Sequence, residues 1–258
     1  MSTSLKLAHI ARKLTGRFVF QKRLPVEFGG ARINVTSRSD IRLLAPGFKT
    51  VSDLLHVASH YIQPENCVWD IGANLGIFSF LSAWKAGEKG HVFSLEADPF
   101  YAELQHKSGR TLPAGYAPFT PLCAAIADKI GILELCIPKN GHSRNHLSIV
   151  EGNRADMTET RKQVVTITGD FLLQHWTKPD FVKVDVEGAE MLFLKGATSL
   201  VERIRPTFYI EINESSQEAA TQIFKTANYK FFEVSSAGTE KPVNRCLFNT
   251  IVKPAERC

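Results

Sequence analysis

The run Cys67-Val68-Trp69-Asp70-Ile71-Gly72-Ala73-Asn74-Leu75-Gly76 constrains this chain more than any other segment. A short apolar stretch stops at a glycine-containing turn, as a buried parallel strand does. Ile77, Phe80, Leu81 and Trp84 then repeat at helical spacing. A strand running through glycines into a helix is the first half of a βαβ unit, with room for a ligand against the turn. A dinucleotide fingerprint would put glycines at 72, 74 and 77, but Asn74 and Ile77 stand at the last two. Asp70 at the strand end also sits badly beside a pyrophosphate, because like charges repel in a partly desolvated cleft.

The same texture continues. His91–Leu95 reads as a second strand, and Pro99 suits the first turn of the next helix. Leu122–Ala127 reads as strand, Ile132–Ile137 as an added ribbon, and Lys139–Lys162 as a long polar loop with some helix. Val164–Ile167 and Phe181–Val184 are strands, Ala189–Leu200 a helix, Phe208–Ile212 a strand and Glu218–Ala227 a helix. Tyr229–Val234 and Cys246–Val252 close the chain as a strand pair. Such alternation predicts an α/β fold with a doubly wound, mostly parallel sheet and ligands at the carboxyl ends of its strands. Before residue 61 the pattern is weaker: a strand pair over Leu24–Val35 turning at Gly29-Gly30, then a helix over Val51–Tyr61. The expected organisation is an N-terminal extension over 1–60, a helix plus short strands packing on one domain over 61–258.

Glu96 ends the second strand in Ser94-Leu95-Glu96-Ala97-Asp98-Pro99. A carboxylate there accepts hydrogen bonds from both hydroxyls of a ribose, as in dinucleotide folds. With Asp70 in the first turn, the ligand that fits is a nucleoside carrying positive charge and no phosphate, S-adenosylmethionine. The plainer alternative makes Asp70 a turn-capping and Glu96 a helix-capping carboxylate.

Three segments in order, Val68–Gly76 (VWDIGANLG), Val92–Pro99 (VFSLEADP) and Asp180–Gly196 (DFVKVDVEGAEMLFLKG), resemble the hallmarks of FkbM-type methyltransferases. Thr207–Asn213 (TFYIEIN) resembles the strand that follows them, and the likeness covers roughly residues 65–235. The resemblance implies a seven-stranded Rossmann-like methyltransferase sheet. It also implies an enzyme that methylates hydroxyl groups on sugars, glycans or natural-product scaffolds with S-adenosylmethionine. Asp70, Gly72, Ala73, Asn74, Gly76 and Glu96 would then hold the cofactor, and Asp128 of Ala125-Ile126-Ala127-Asp128 would lie near the adenine. Cys123-Ala124 stand where an Asn is expected just before that segment.

Methylating an alcohol requires aligning it in line with the donor and removing its proton as the bond forms. Lys183-Val184-Asp185-Val186-Glu187-Gly188 brings three ionisable groups to a strand's carboxyl end, with Lys183, Asp185 and Glu187 on one side while the strand lasts. Asp185 is the first candidate base, with Glu187 and Glu211 beside it; His146, or His142, of the polar loop is another. The alternative has Asp185 and Glu187 cap the next helix while Lys183 neutralises them. Asp185, Glu211 and Asn213 together would form a hard oxygen set of the kind Mg2+ takes. Methylation of nitrogen in a peptide or small amine, and a binding protein without chemistry, are the competing functions. An NPPY-like segment after the fourth strand, usual in amide and base N-methyltransferases, is missing.

A net charge of +5 over 258 residues is mildly basic and gives little reason to expect a nucleic-acid partner. Five cysteines without a CxxC pair, with Cys67 and Cys123 inside apolar runs, fit a reducing cytoplasm. The basic N-terminus has apolar residues at helical spacing, Leu7, Ile10, Ala11 and Leu14, which suits a helix packed on the domain or in weak contact with a membrane surface. No run is long enough to span a bilayer, and no signal peptide is evident.

Overall fold

The computed structural model describes residues 18–39, 43, 47–48, 51–138, 145–150, 158–234 and 240–258. The expected N-terminal helix and His142 lie outside these residues.

The described chain opens with a hairpin, β1 (Val19–Arg23) against β2 (Arg32–Thr36), in antiparallel register from Val19 opposite Thr36. Leu24 and Pro25 belong to its turn rather than to a strand, because a 3-10 turn over Val26–Phe28 and left-handed Gly29 and Gly30 reverse the chain. Helix α1 (Ser52–Tyr61) follows, then β3 (Cys67–Ile71), α2 (Ile77–Ala86), β4 (His91–Glu96) and α3 (Pro99–Gly109). The stretch expected as one strand divides at Ala124 into β5 (Phe119–Cys123) and β6 (Ala125–Ile126), which join different sheets. Next come β7 (Gly131–Pro138), β8 (His146–Leu147) and β9 (Thr158–Ile167), and a single helical turn α4 (Gly169–Leu172). β10 (Phe181–Val184), α5 (Glu190–Lys195), β11 (Thr207–Glu211), α6 (Gln217–Thr226), β12 (Tyr229–Val234), β13 (Glu240–Val243) and β14 (Asn249–Pro254) complete the fold.

The main sheet has order β13-β12-β14-β11-β10-β3-β4-β5. β5 through β11 pair in parallel, and β14 lies antiparallel between β11 and β12. It therefore has eight strands rather than seven, because β13 pairs antiparallel with β12 at the edge. Strand order reverses between β3 and β10, so the crevice of a doubly wound sheet opens at their carboxyl ends.

Alternation divides the strands between two cores. Val68, Val92, Phe181, Tyr209 and Ile251 pack with α1, α2 and the hairpin residues Ile33 and Val35. Trp69, Ile71, Leu95, Val182 and Phe208 pack on the other face with Phe193 of α5 and Phe224 of α6. Burial on both faces explains why these strands are near-continuous apolar runs. Cys123, expected to be buried, is exposed because β5 is an edge strand.

A second sheet, β6-β9-β7-β8, takes up residues 146–147 and 158–162 of the expected polar loop. Thr158–Lys162 carries no apolar alternation. It is strand because β7 pairs with it, from Gly131 opposite Thr166 to Ile137 opposite Thr160. Asp98 ties this sheet to the main one. Its fully buried carboxylate caps α3 through the Phe100 N–H and accepts from Asn145 Nδ2 and Lys162 Nζ, each at 3.1 Å. Asp98→Ala is expected to lose a helix cap and a charge-assisted bond, about 2–3 kcal/mol in all. Thermal unfolding should then move down by roughly 5–10 °C, whereas an unchanged midpoint would show that the tether carries no load.

Candidate active site

The parallel register lines up Ser94, Asp70, Lys183 and Tyr209 across β4, β3, β10 and β11. One face of an otherwise apolar sheet thus carries a polar row, and each member needs a partner. Ser94 Oγ donates to Gln105 Oε1 and Ser79 Oγ to Asp70 Oδ2, both at 2.6 Å. Lys183 Nζ lies 3.3 Å from Asp70 Oδ1 and 3.4 Å from Asp185 Oδ2. Burial opposes its charge, but the Asp70 and Asp185 carboxylates outweigh that and hold its pKa above the ordinary lysine value.

Above this row sits the glycine turn. The N–H groups of Gly72 and Ala73 both donate to the Leu95 carbonyl. Gly72 has φ 78°, and a Cβ there would stand 1.9 Å from the Asp185 carbonyl oxygen, so only glycine lets the loops after β3 and β10 meet. Asn74 is also left-handed, φ 53°. Its N–H donates to Glu96 Oε2 at 2.7 Å, and its carbonyl accepts from Gln105 Nε2 at 2.6 Å. Glu96 Oε1 accepts from the Asp98 N–H at 2.8 Å. Burial raises the Glu96 pKa to about 7, with the two backbone donors opposing and the Asp98 and Asp70 charges adding to the rise.

These groups border a cleft of about 630 Å³, open mouth included. Gly72, Asn74 and Glu96 line it, as do Asp185, Val186 and Glu187. Ala124, Ala125, Ile126, Leu135 and Leu147 give it an apolar wall, and Asn145 and His146 belong to the lining too. β10 stops at Val184, and the chain reverses through left-handed Glu187 and Gly188 into α5. The N-cap position of α5 is Ala189, with no side-chain cap, so Asp185 and Glu187 are not helix caps. The Gly188 N–H is taken by Glu190 Oε1 at 2.7 Å. Behind this turn Glu211 ends β11. Burial, then the Asp185 and Glu187 charges, raise its pKa to about 8, with Lys183 opposing.

Of the residues expected at the site, Gly72, Asn74, Glu96, His146, Asp185 and Glu187 line the cleft. Asp70, Ala73 and Gly76 lie outside that lining: Asp70 is fully buried against Lys183 and Ser79, and Gly76 begins α2 at φ 75°. Asp128 does not reach the cleft; it is exposed beyond β6, and Ala124–Ile126 form the nearby wall. Glu211 stands behind the lining. The hard-oxygen set does not form, since Asn213 approaches the Glu190 carboxyl instead. Among the described residues no group of His, Cys, Asp or Glu is arranged to hold a metal ion. Asn145, Leu135 and Leu147 were missed, because their place in the wall depends on the second sheet folding over the first.

The cleft at the switch point defines a doubly wound α/β protein with a crevice at the carboxyl ends of its strands. A family model described as the Methyltransferase FkbM domain matches residues 70–231, and the chain belongs to that family. The hexuronic acid methyltransferase AglP of Haloferax volcanii is 27% identical over 154 residues, 59% of this chain and 58% of that protein. The chain thus spans little more than half the length of this curated relative. Among solved structures, the chain is similar to the following two. Methyltransferase FkbM from Methylobacillus flagellatus has 14% identity and TM-score 0.47, over 73% of this chain and 43% of that one. A SAM-dependent methyltransferase from Aquifex aeolicus has 13% identity and TM-score 0.44, over 84% and 98%.

Glu96 and Glu211 both have pKa values above the unfolded carboxylate value, so folding favours their protonated forms. Their contribution to stability is full below about pH 4.5 and is lost as pH rises through about 7 and about 8. Glu211→Gln should therefore show a flatter fall of melting temperature than the wild type from about pH 5 to about pH 8. Parallel curves for the two proteins would contradict the assignment.

Proposed function

We propose that this chain transfers a methyl group from S-adenosylmethionine to a hydroxyl on a sugar, glycan or natural-product scaffold. The observation that carries the reading is one cleft lined both by an oriented carboxylate, Glu96, and by the carboxylates Asp185 and Glu187. Each Glu96 oxygen takes one backbone N–H and keeps a lone pair for a ribose hydroxyl. The apolar wall from Ala124 to Leu147 suits a flat purine, and the Gly72–Asn74 turn suits the amino-acid end. When bound, the cofactor supplies a sulfonium methyl open to in-line attack.

Asp185 takes the acceptor's hydroxyl proton, an alcohol being too weak an acid to ionise unaided. Lys183 is paired with Asp185, and Glu187 lines the cleft close by in sequence. The Glu211 carboxyl interacts with both Asp185 and Glu187; His146 lines the same cleft and is a further candidate base. The name of the hexuronic acid methyltransferase relative supports a sugar as acceptor. An amine is the second reading, favoured by the carboxylates gathered around Asp185. The free thiols, with Cys123 and Cys258 exposed, suit a reducing cytoplasm. Among the described residues no helix is long and apolar enough to cross a membrane.

Calorimetry is expected to show binding of S-adenosylmethionine or its demethylated product in the micromolar range, about −8 kcal/mol. Glu96→Ala should weaken it by about 1–3 kcal/mol. No binding of either ligand, with NAD bound instead, would refute the reading. Labelled methyl transfer into a panel of hydroxylated and amino acceptors separates the two acceptor classes. On the best acceptor, Asp185→Asn should lower turnover by roughly 10²-fold or more with cofactor affinity nearly unchanged. Full turnover in that variant would remove Asp185 from the chemistry.

A further inference from the structure

The N-terminal hairpin lies outside the family-matched residues 70–231, yet it reaches the loop that orients Glu96. At the end of β2 and in the turn beyond it, Thr36, Ser37 and Ser39 are all buried. Polar side chains are seldom so enclosed without partners that use them. Ser39 Oγ donates to Asn74 Oδ1 at 2.7 Å. Asn74 is the left-handed residue whose N–H holds Glu96, and whose carbonyl is held by Gln105. Its side chain is thus tied from the hairpin, while its backbone is tied from β4 and α3.

The hairpin itself is fixed from two other directions. Asn34 donates to Ser108 Oγ of α3 through both its N–H and its Nδ2, at 2.8 and 3.1 Å. The Tyr116 hydroxyl accepts from the Ala31 N–H and donates to the Phe28 carbonyl. Ser39 is therefore presented to Asn74 by a docked element rather than by a loose loop.

We propose that Ser39 is a positioning residue for the cofactor loop, holding Asn74 in its left-handed conformation so that the Asn74 N–H keeps the Glu96 carboxylate aimed into the cleft. A non-glycine residue adopts this conformation at a steric cost, which the hydrogen bonds at its two ends offset. Without the Ser39 hydroxyl the loop gains freedom, and Glu96 loses one of the two donors that aim it. Ser39, a residue of the expected N-terminal extension, then contributes to the site itself. This inference rests on the cleft being the S-adenosylmethionine site.

The test is calorimetric titration of the full chain with S-adenosylhomocysteine, alongside melting temperatures, for the wild type and four variants. Ser39→Ala should raise Kd about five- to tenfold, as loss of one buried hydrogen bond implies. Ser39→Thr, which keeps the hydroxyl, should stay within about twofold of the wild type. Asn74→Gly keeps the backbone conformation but removes Oδ1, and should weaken binding even if Ser39→Ala folds poorly. Asn34→Ala loosens the hairpin from α3 without touching Asn74, and should lower the melting temperature more than the affinity. Wild-type affinity in both Ser39→Ala and Asn74→Gly overturns the proposal. Equal weakening in Asn34→Ala and Ser39→Ala does so too, since the effect would then be general loosening. A wild type that binds no cofactor overturns the functional reading, and this role with it.

Discussion

A lysine ammonium held between two carboxylates in the middle of a sheet is the interaction on which the site is built. Lys183 is almost fully buried, as is Asp70, and Asp185 lines the cleft. Removing Lys183 would leave the buried Asp70 carboxylate uncompensated in a poor solvent, at a cost of about 3–5 kcal/mol. The arrangement therefore cannot drift. It pins the carboxyl end of β10 to that of β3, and the backbones approach until only a glycine fits at position 72. The strand that carries the cofactor turn and the strand that carries the acceptor-side carboxylate are thereby held at one distance.

The second sheet gives the crevice its depth. An open doubly wound sheet offers a shallow groove at its switch point, and here β6 to β9 fold over it as an apolar wall with Asn145 and His146 at the edge. Asp98 makes the two layers one unit, since it caps α3 in the main layer and receives Lys162 and Asn145 from the other. The wall has no charged side chain among the cleft-lining residues, whereas the rest of the lining carries Glu96, Asp185 and Glu187.

Carboxylates at the acceptor end are crowded enough to change one another. Glu211 and Glu190 both have raised pKa values, with burial the first cause and neighbouring carboxylates adding to it. Lys183 offsets part of that repulsion but is already engaged by Asp70 and Asp185. One consequence is a carboxyl, Glu211, whose pKa is raised to about 8 beside the Asp185 and Glu187 charges.

Local pattern sufficed wherever the physics is local. Strand-turn-helix order, the glycine turn after β3, the Pro99 start of α3 and the carboxylate at the end of β4 all follow from periodicity and backbone stereochemistry within a few residues. The cleft-lining set Gly72, Asn74, Glu96, Asp185 and Glu187 was legible for the same reason, because each sits at the end of a strand whose direction the alternation sets. Tertiary structure decided what depends on partners distant in the chain. Thr158–Lys162 is a strand only because β7 pairs with it, and Asp128 leaves the site because Ala124 carries the chain from one sheet to another. Asp70 serves as a buried counter-ion because Lys183, 113 residues away, lies beside it in parallel register. Ser39 meets Asn74 only once the hairpin docks on α3. Sequence fixes which side chains each element can present, but burial and charge pairing are properties of neighbours, and only the folded chain brings those neighbours together.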